Sequence, residues 1–350
     1  MSWLVSLLVL SALIFFHELG HFAVARLMGV YVEVFSIGFG RKLASFRAFN
    51  TEWRIAAVPL GGYVKMKGQD DSDPTKTSPD PDSYNSKSPL QRIGILLAGP
   101  GANFALAFVL YFFIALGGPQ VLSPVIGDVV EHSPAAAAGL QKGDRILSID
   151  GKKIDTWKSM SETIKQAEKT LYLVIERDGL VRQVAVTPKI TETTDMFKET
   201  VYRPMVGIGA AGVTHAMDLS FSEALGYALE ETKEASMLIF ISLEKLISGA
   251  VPTSELGGVV TIVKITADAS AQGWMAVFFF AALISVNLGV LNLLPIPALD
   301  GGHIMFNLYE MIMRRAPSEA VLMRLTIVGW GLLLGLMTLG LYNDINRLMQ

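Results

Sequence analysis

The sequence of 350 residues contains no cysteine. Disulfide bonds are therefore excluded, and so is a metal site built on thiolate ligands. Any metal ion must be held by histidine and carboxylate side chains.

Charged residues are also scarce, at 17% of the chain, while hydrophobic residues make up 51%. This composition is too apolar for an ordinary soluble domain of this length. The net charge of −3 gives no basic surface of the kind that binds nucleic acid. We therefore expect a lipid bilayer, and no nucleic acid, as a partner of this chain.

Long uncharged runs locate the membrane segments, since a spanning helix needs about 20 mostly apolar residues. Residues 93–127, 269–299 and 325–343 contain no charged side chain. The N-terminal run is apolar too, although polar residues interrupt it. A signal peptide is the alternative there, and it is disfavoured because residues 1–16 lack a basic residue and a small-residue cleavage site. The predicted fold class is an α-helical polytopic membrane protein, with four transmembrane helices at about 3–30, 93–117, 274–299 and 325–343.

The distribution of lysine and arginine predicts the orientation, because basic loops stay in the cytoplasm. Nine such residues lie within 31–92, and three more lie within 300–324. We expect these two segments on the cytoplasmic side. Both termini and the segment 119–268 are then extracytoplasmic.

Three stretches outside the spans have distinct patterns. Short runs punctuated by glycine in residues 31–66 indicate a membrane-associated set of antiparallel strands on the cytoplasmic side, with an ordinary surface hairpin as the alternative. Residues 68–88 are acidic and rich in serine and proline, which is typical of a mobile linker. Within 212–268, helical patterns at 222–249 and 256–267 have uncharged runs too short to span, so we expect interfacial or packed helices.

Residues 119–211 indicate a separate α+β domain. Ser133 is a candidate helix cap with proline at the first helical position. Asp178-Gly179 predicts a tight turn between strands at 171–176 and 180–186. Both features are typical of a small compact module.

The stretch SPAAAAGLQKGDRILSIDGKKI (133–154) resembles a bacterial PDZ domain. The resemblance implies a peptide-binding module whose ligand-binding strand comes last. The segment 205–209 is the candidate strand, with Gly207 and Ile208 in contact with substrate. An unrelated glycine-rich strand is the alternative.

The first chemical motif is HELGH, at the polar end of the first span. His17 and His21 are four residues apart, so on a helix they share one face and can bind one metal ion. Glu18 lies beside them as a candidate general base. A solvated surface helix is the alternative, but ionisable side chains in an apolar run are usually functional because their burial is costly.

A catalytic zinc ion needs a third protein ligand. His132 and His215 lie on the opposite side in the predicted topology. Asp300 and His303 follow the third span, where two prolines break the helix at the depth of the first motif. We expect Asp300 to be the ligand and His303 a supporting residue; a plain turn residue is the alternative for Asp300.

Two motifs together, FHELGH (16–21) and NLLPIPALDGG (292–302), resemble the site-2 protease family of intramembrane zinc metalloproteases. GPGAN (99–103) fits the second span of that family. The order of segments is similar to that of bacterial regulator-of-sigma-E proteases, although one PDZ domain is visible here where well-known enterobacterial relatives carry two. The resemblance covers nearly the whole chain and implies a multi-pass protease of the bacterial cytoplasmic membrane.

The resemblance also implies roles for individual residues, with Zn²⁺ as cofactor. These are the zinc ligands His17, His21 and Asp300, the catalytic base Glu18, and the substrate-binding candidates Asn292 and Asn103. From their polar side chains alone, Asn292 or Asn287 is also a candidate for stabilising the oxyanion, although the resemblance assigns Asn292 to the substrate backbone. Each asparagine could instead bond a neighbouring helix.

A helical substrate uses its carbonyl groups internally, so it must unwind before cleavage. The strands within 31–66 could then pair with the extended substrate. The resemblance implies single-span membrane proteins as substrates, either anti-sigma factors already trimmed outside the membrane, as in stress-response signalling, or remnant signal peptides.

Two other functions compete. A transporter would also place polar residues on broken helices, but four spans with no visible inverted repeat disfavour it. A catalytically inactive scaffold for the PDZ domain is the second, and the intact Glu18 argues against it, because a purely structural zinc site needs no base.

Overall fold

The computed structural model describes residues 2–69 and 78–349. These residues form two compact units. One unit is the chain up to Ile114 together with the chain from Glu223 onward, and the other is Ala115–Ser222. Each unit has its own hydrophobic core.

The described residues contain nine α-helices and twelve β-strands. The helices are α1 (Ser2–Leu27), α2 (Pro89–Leu116), α3 (Pro134–Ala137), α4 (Trp157–Lys165), α5 (Phe221–Ile247), α6 (Val259–Gln272), α7 (Trp274–Asn292), α8 (Asp300–Met313) and α9 (Glu319–Met349). The strands are β1 (Val32–Ala48), β2 (Thr51–Met66), β3 (Gln120–Leu122), β4 (Ile126–Val129), β5 (Arg145–Ile149), β6 (Lys152–Lys153), β7 (Leu171–Arg177), β8 (Leu180–Val186), β9 (Lys189–Thr194), β10 (Thr200–Met205), β11 (Ile208–Ala210) and β12 (Thr214–Ala216).

Four helices, α1, α2, α7 and α9, are long and apolar enough to cross a membrane, and they coincide with the four predicted spans. The third span is shorter than predicted, because α7 ends at Asn292 and not at position 299. Prolines at 295 and 297 cannot continue a helix. Residues 293–299 are therefore an irregular segment that leads into α8.

Strands β1 and β2 form an antiparallel pair, as predicted for residues 31–66. Phe49 and Asn50 join them with φ angles of 53° and 59°, which is the backbone of a two-residue hairpin turn. Two parts of β2 pair with the first half of β1, one on each side. Phe35 therefore lies opposite both Trp53 and Val64. Residues 62–66 therefore form an outer edge of the hairpin.

Aromatic side chains attach this hairpin to α1. The ring centroid of Phe22 lies 5.8 Å from that of Phe35 and 5.1 Å from that of Trp53. Phe35 and Trp53 stack at 4.5 Å, and Phe35 is fully buried. Aromatic pairs of this kind contribute about 0.5–1.5 kcal/mol beyond the burial of their surface. They fix the hairpin beside the histidine-bearing turns of α1.

Residues 78–88 correct the prediction of a mobile linker. The amide of Tyr31 donates to the Asp82 carbonyl and the amide of Tyr84 donates to the Lys67 carbonyl, both at 2.8 Å. Lys67 Nζ lies 2.7 Å from Asp82 Oδ1, and Ser83 and Tyr84 are buried. The polar residues here make turns and hydrogen bonds against the hairpin. The rest of the predicted linker, 70–77, lies outside the described residues.

Helices α5 and α6 are not among the candidate spans of the described residues, as predicted. Ala228 and Ala235 of α5 share a core with Tyr111 of α2 and Val286 of α7, because small side chains let helices approach closely. Ser6 of α1 donates to the carbonyl of Val263 in α6 at 2.9 Å. Both helices are therefore packed against candidate spans.

The unit Ala115–Ser222 contains a four-stranded sheet of order β6-β5-β7-β8. Strands β7 and β8 form the hairpin predicted at Asp178-Gly179. Ser133 Oγ accepts the amide of Ala136 at the start of α3, which confirms the predicted helix cap. Isoleucine and leucine side chains of β5 and β7 fill the core of the unit.

A groove of about 110 Å³ lies between α4 and residues 203–208, and Gly207 and Ile208 line it. The predicted strand over 205–209 is interrupted, because β10 ends at Met205 and β11 begins at Ile208. Gly207 has a φ of 81°, a left-handed conformation that breaks the strand and that glycine adopts easily. β11 instead pairs with β4.

Candidate metal centre

The side chains of His17 and His21 meet on one face of α1. Their Nε2 atoms lie 3.2 Å apart. The spacing of four residues produces this geometry, because it stacks the two side chains on successive turns. His21 is buried and His17 is half-buried.

Glycine lets α2 approach this face closely. A Cβ atom on Gly20 would overlap the carbonyl oxygen of Ala98, and one on Gly99 would overlap the imidazole of His21. The close approach brings the carbonyl of Ile95 to 2.9 Å from His21 Nδ1. A carbonyl can only accept, so Nδ1 carries the proton and Nε2 keeps its lone pair for a metal ion.

Asp300 reaches the histidines through the irregular segment after α7. It is the first residue of α8. Cβ atoms on Gly301 and Gly302 would overlap carbonyl groups of residues 293–296. The chain can fold back this tightly only because both positions are glycine.

The three potential ligand atoms form a nearly equilateral triangle. Asp300 Oδ2 lies 3.3 Å from His17 Nε2 and 3.4 Å from His21 Nε2, and the third side is the 3.2 Å between the imidazoles. A tetrahedral zinc ion with bonds of about 2.0–2.1 Å needs ligand atoms about 3.3 Å apart. Asp300 Oδ2 is buried and has no hydrogen-bond partner within the described part of the chain. These donors and their spacing fit zinc.

A cavity of about 570 Å³ opens onto this triangle. Glu18, Asn292 and His303 line it together with residues 62–66 of the hairpin edge. Gly62 brings the β2 backbone against the potential base, since a Cβ atom there would lie 3.2 Å from Glu18 Cγ. One cavity thus contains three potential ligands, a carboxylate beside them and an exposed strand edge.

The other predicted residues are not among those that line this cavity. Asn103 does not line the cavity, and its Nδ2 lies 3.2 Å from His17 Nδ1. Asn287 is likewise absent from the wall. Gly207 and Ile208 belong to the other compact unit.

The remaining histidines stay outside the ligand triangle. His303 lines the cavity, while the metal-binding group found in the described residues consists of His17, His21 and Asp300. His215 Nδ1 lies 2.8 Å from Ser123 Oγ in the other unit. His132 has a φ of 60° in a turn.

Several residues that shape the site are marked by no pattern in the sequence. Tyr63, Lys65 and Trp330 line the cavity, and only the tertiary packing of β2 and α9 brings them there. The roles of Gly20 and Gly99 could have been predicted from the sequence, because glycine within an apolar helix indicates that another helix packs closely against it.

Comparison with known proteins gives a family match and close relatives. Residues 5–336 match the sequence model of peptidase family M50. A protein of Campylobacter jejuni that carries the name "Putative zinc metalloprotease" is 45% identical over 348 residues, which cover 99% of this chain and 94% of its own. A Helicobacter pylori protein of the same name is 42% identical over 353 residues, 99% of this chain and 100% of its own. An Agrobacterium fabrum protein of that name is 35% identical over 362 residues, 98% and 95% of the two chains.

Proposed function

This chain belongs to peptidase family M50 and is a zinc metalloprotease, and we propose that it hydrolyses peptide bonds of single-span membrane proteins within the bilayer. The observation that carries this proposal is the location of two potential zinc ligands, His17 and His21, inside a candidate membrane span. Ionisable groups are costly at such depth and are usually retained for function. A protease with its metal centre there acts on segments that share the membrane with it.

We assign the chemical roles as follows: His17, His21 and Asp300 hold the metal. A bound zinc ion supplies Lewis acidity and lowers the pKa of its water toward neutrality. Glu18, which lines the same cavity, takes the proton of the attacking water and delivers it to the leaving amine nitrogen. Asn292, on the cavity wall, binds the substrate backbone.

The substrate must be extended when it enters this cavity, because a helix has no free carbonyl to attack. Residues 62–66 support a mode of binding by strand addition. They pair with β1 on one side and line the cavity, so an extended substrate can pair along the other side. In this arrangement the scissile bond lies beside Glu18 and the ligand triangle.

We further propose that the unit Ala115–Ser222 is an extracytoplasmic PDZ domain and that the enzyme resides in a bacterial cytoplasmic membrane. The groove that contains Gly207 and Ile208 supports a peptide-binding role. The metal centre then faces the cytoplasmic side. Anti-sigma factors trimmed outside the membrane and remnant signal peptides are the proposed substrates.

The decisive test is the position of the cut. Purified enzyme and a single-span model substrate are reconstituted together in liposomes, and the products are identified by mass spectrometry. We expect new termini within or at the edge of the substrate span, formed with zinc present and not after chelation. Cleavage only in the soluble part of the substrate, or none with zinc bound, would exclude intramembrane proteolysis.

A further inference from the structure

Asn103 of α2 is fully buried beside a potential zinc ligand. Its Nδ2 lies 3.2 Å from His17 Nδ1, while its Oδ1 is buried with no partner among the residues described. A buried acceptor left without a donor destabilises the folded protein. The side chain therefore points its donor at the imidazole and leaves its acceptor unused.

The chemistry of a metal-bound imidazole requires the opposite orientation. If Nε2 of His17 gives its lone pair to a metal, the ring proton lies on Nδ1. An Nδ1–H group needs an acceptor, and the amide nitrogen of Asn103 cannot accept. A half-turn of the amide about its last side-chain bond exchanges the oxygen and nitrogen positions without changing the shape of the side chain. After that turn both Nδ1–H and Oδ1 are satisfied.

We propose that Asn103 is a positioning residue of the metal centre, whose Oδ1 accepts the Nδ1–H of His17 when zinc is bound. The arrangement matches that of His21, where the Ile95 carbonyl lies 2.9 Å from Nδ1. Helix α2 thus supplies the acceptor for both histidines, one from its backbone and one from a side chain. This inference rests on the proposed zinc site, and it replaces the predicted substrate contact at Asn103.

The backbone of Asn103 adds a link to a third helix. Its carbonyl accepts a hydrogen bond of 2.8 Å from Ser285 Oγ of α7. A change of the Asn103 side chain leaves this bond intact, and a change of Ser285 leaves the bond to His17 intact. The two positions therefore separate metal positioning from helix packing.

The test measures zinc affinity of the full-length protein in detergent by competition with a chelator. We expect Asn103→Ala to bind zinc about 10–100-fold more weakly, the usual effect of removing a partner of a ligating histidine. Asn103→Asp keeps an oxygen acceptor and should recover most of that loss. Ser285→Ala should keep the zinc affinity of the unchanged protein. Thermal unfolding of the metal-free proteins monitors folding, and the absorption spectrum of bound Co²⁺ reports the ligand geometry directly.

The zinc affinities of the Asn103 variants test the positioning role, and that of Asp300→Asn tests the ligand assignment. Unchanged zinc affinity and an unchanged Co²⁺ spectrum in Asn103→Ala would overturn the inference. Recovery in Asn103→Asp supports an acceptor role, whereas a loss equal to that of a folded Asn103→Ala would show that the amide donates. Asp300→Asn is the reference for the proposed function: if it binds zinc as tightly as the unchanged protein, the ligand assignment itself fails, whatever Asn103 does.

Discussion

Glycine residues control how closely α1 and α2 approach each other at the metal centre. Gly20 lies against the Ala98 carbonyl, and Gly99 lies against the imidazole of His21. Because the backbones are this close, α2 can offer acceptors to both histidines. The ligand geometry therefore depends on residues that bind nothing themselves.

Two glycines of α2 give a matched pair of variants. Gly99→Ala should disrupt the site, because the new methyl group overlaps His21 and must displace it. Gly101→Ala places a methyl group in open space and should be neutral or stabilise the helix by up to about 1 kcal/mol. We expect at least about tenfold weaker zinc binding in Gly99→Ala only, measured by chelator competition. Equal zinc affinity in the two variants would show that the close contact is not required.

The proposed metal ligands were predictable from the sequence to different degrees. His17 and His21 follow from helical spacing alone. Asp300 depends on elimination, the proline break and a family resemblance, because no local pattern brings position 300 to position 17. Asn103 lies in the GPGAN motif, from which the sequence predicts a substrate contact. Its contact with His17 arises from the pairing of α1 with α2, which no local pattern reveals.

At the scale of elements, polar composition was the least reliable guide. Residues 78–88 have the serine, proline and aspartate content of a linker, yet Ser83 and Tyr84 are buried. The Asp82 carbonyl accepts from the Tyr31 amide, and the Tyr84 amide donates to the Lys67 carbonyl, so both partners lie outside this segment of the sequence. Long apolar helices and the β-hairpin were predictable because their patterns repeat over many residues, which averages out local exceptions.

The pair of Asp144 and Arg177 should dominate the stability of the unit Ala115–Ser222. Asp144 is fully buried and accepts bonds of 2.6 and 2.7 Å from Arg177. Asp144→Asn removes the buried negative charge opposite the guanidinium, which retains the neutral Gly139 carbonyl and the new amide as partners, and should cost about 3–5 kcal/mol. Asp155→Asn is the control, since the exposed pair with Lys153 contributes at most about 1 kcal/mol. Hydrogen exchange of the β5 and β7 amides in the full-length protein measures the loss of stability in each of the two variants.

The pair of Asp144 and Arg177 should also make the stability of the unit Ala115–Ser222 depend on pH. Burial raises the pKa of Asp144, but the hydrogen bonds from Arg177 and the Gln141 amide outweigh it and hold the pKa below its usual value. A carboxyl group with a lowered pKa stabilises the folded state above its unfolded pKa of about 4 and loses that contribution as the pH falls further. Protection of β5, corrected for intrinsic exchange, should therefore decline below about pH 4. If the protection of β5 declines by the same amount in Asp144→Asn, the pH dependence arises from other groups.

At the scale of the whole molecule, the proposed PDZ domain should determine which substrates are cut, without affecting the chemistry. All proposed catalytic residues belong to the unit that contains α1 and α8, and the groove belongs to the other. We propose that a bulky extracytoplasmic substrate domain clashes with this domain, which then acts as a filter that passes trimmed substrates. We expect a variant without residues 119–211, if it folds, to cut one substrate span whether it carries a short tail or a folded outer domain. Continued rejection of the folded form would place the filter elsewhere, with α5 and α6 as the next candidates.

Zinc content and turnover, measured on one purified sample of Glu18→Gln, test the proposed mechanism most directly. Glu18 lines the cavity without belonging to the ligand triangle, so the variant should keep one zinc ion per chain. Loss of the base should reduce cleavage of the model substrate by at least about 10²-fold. Metal bound with turnover abolished is the predicted result. Cleavage at the rate of the unchanged enzyme, with zinc present, would contradict the assignment of Glu18 and with it the proposed mechanism.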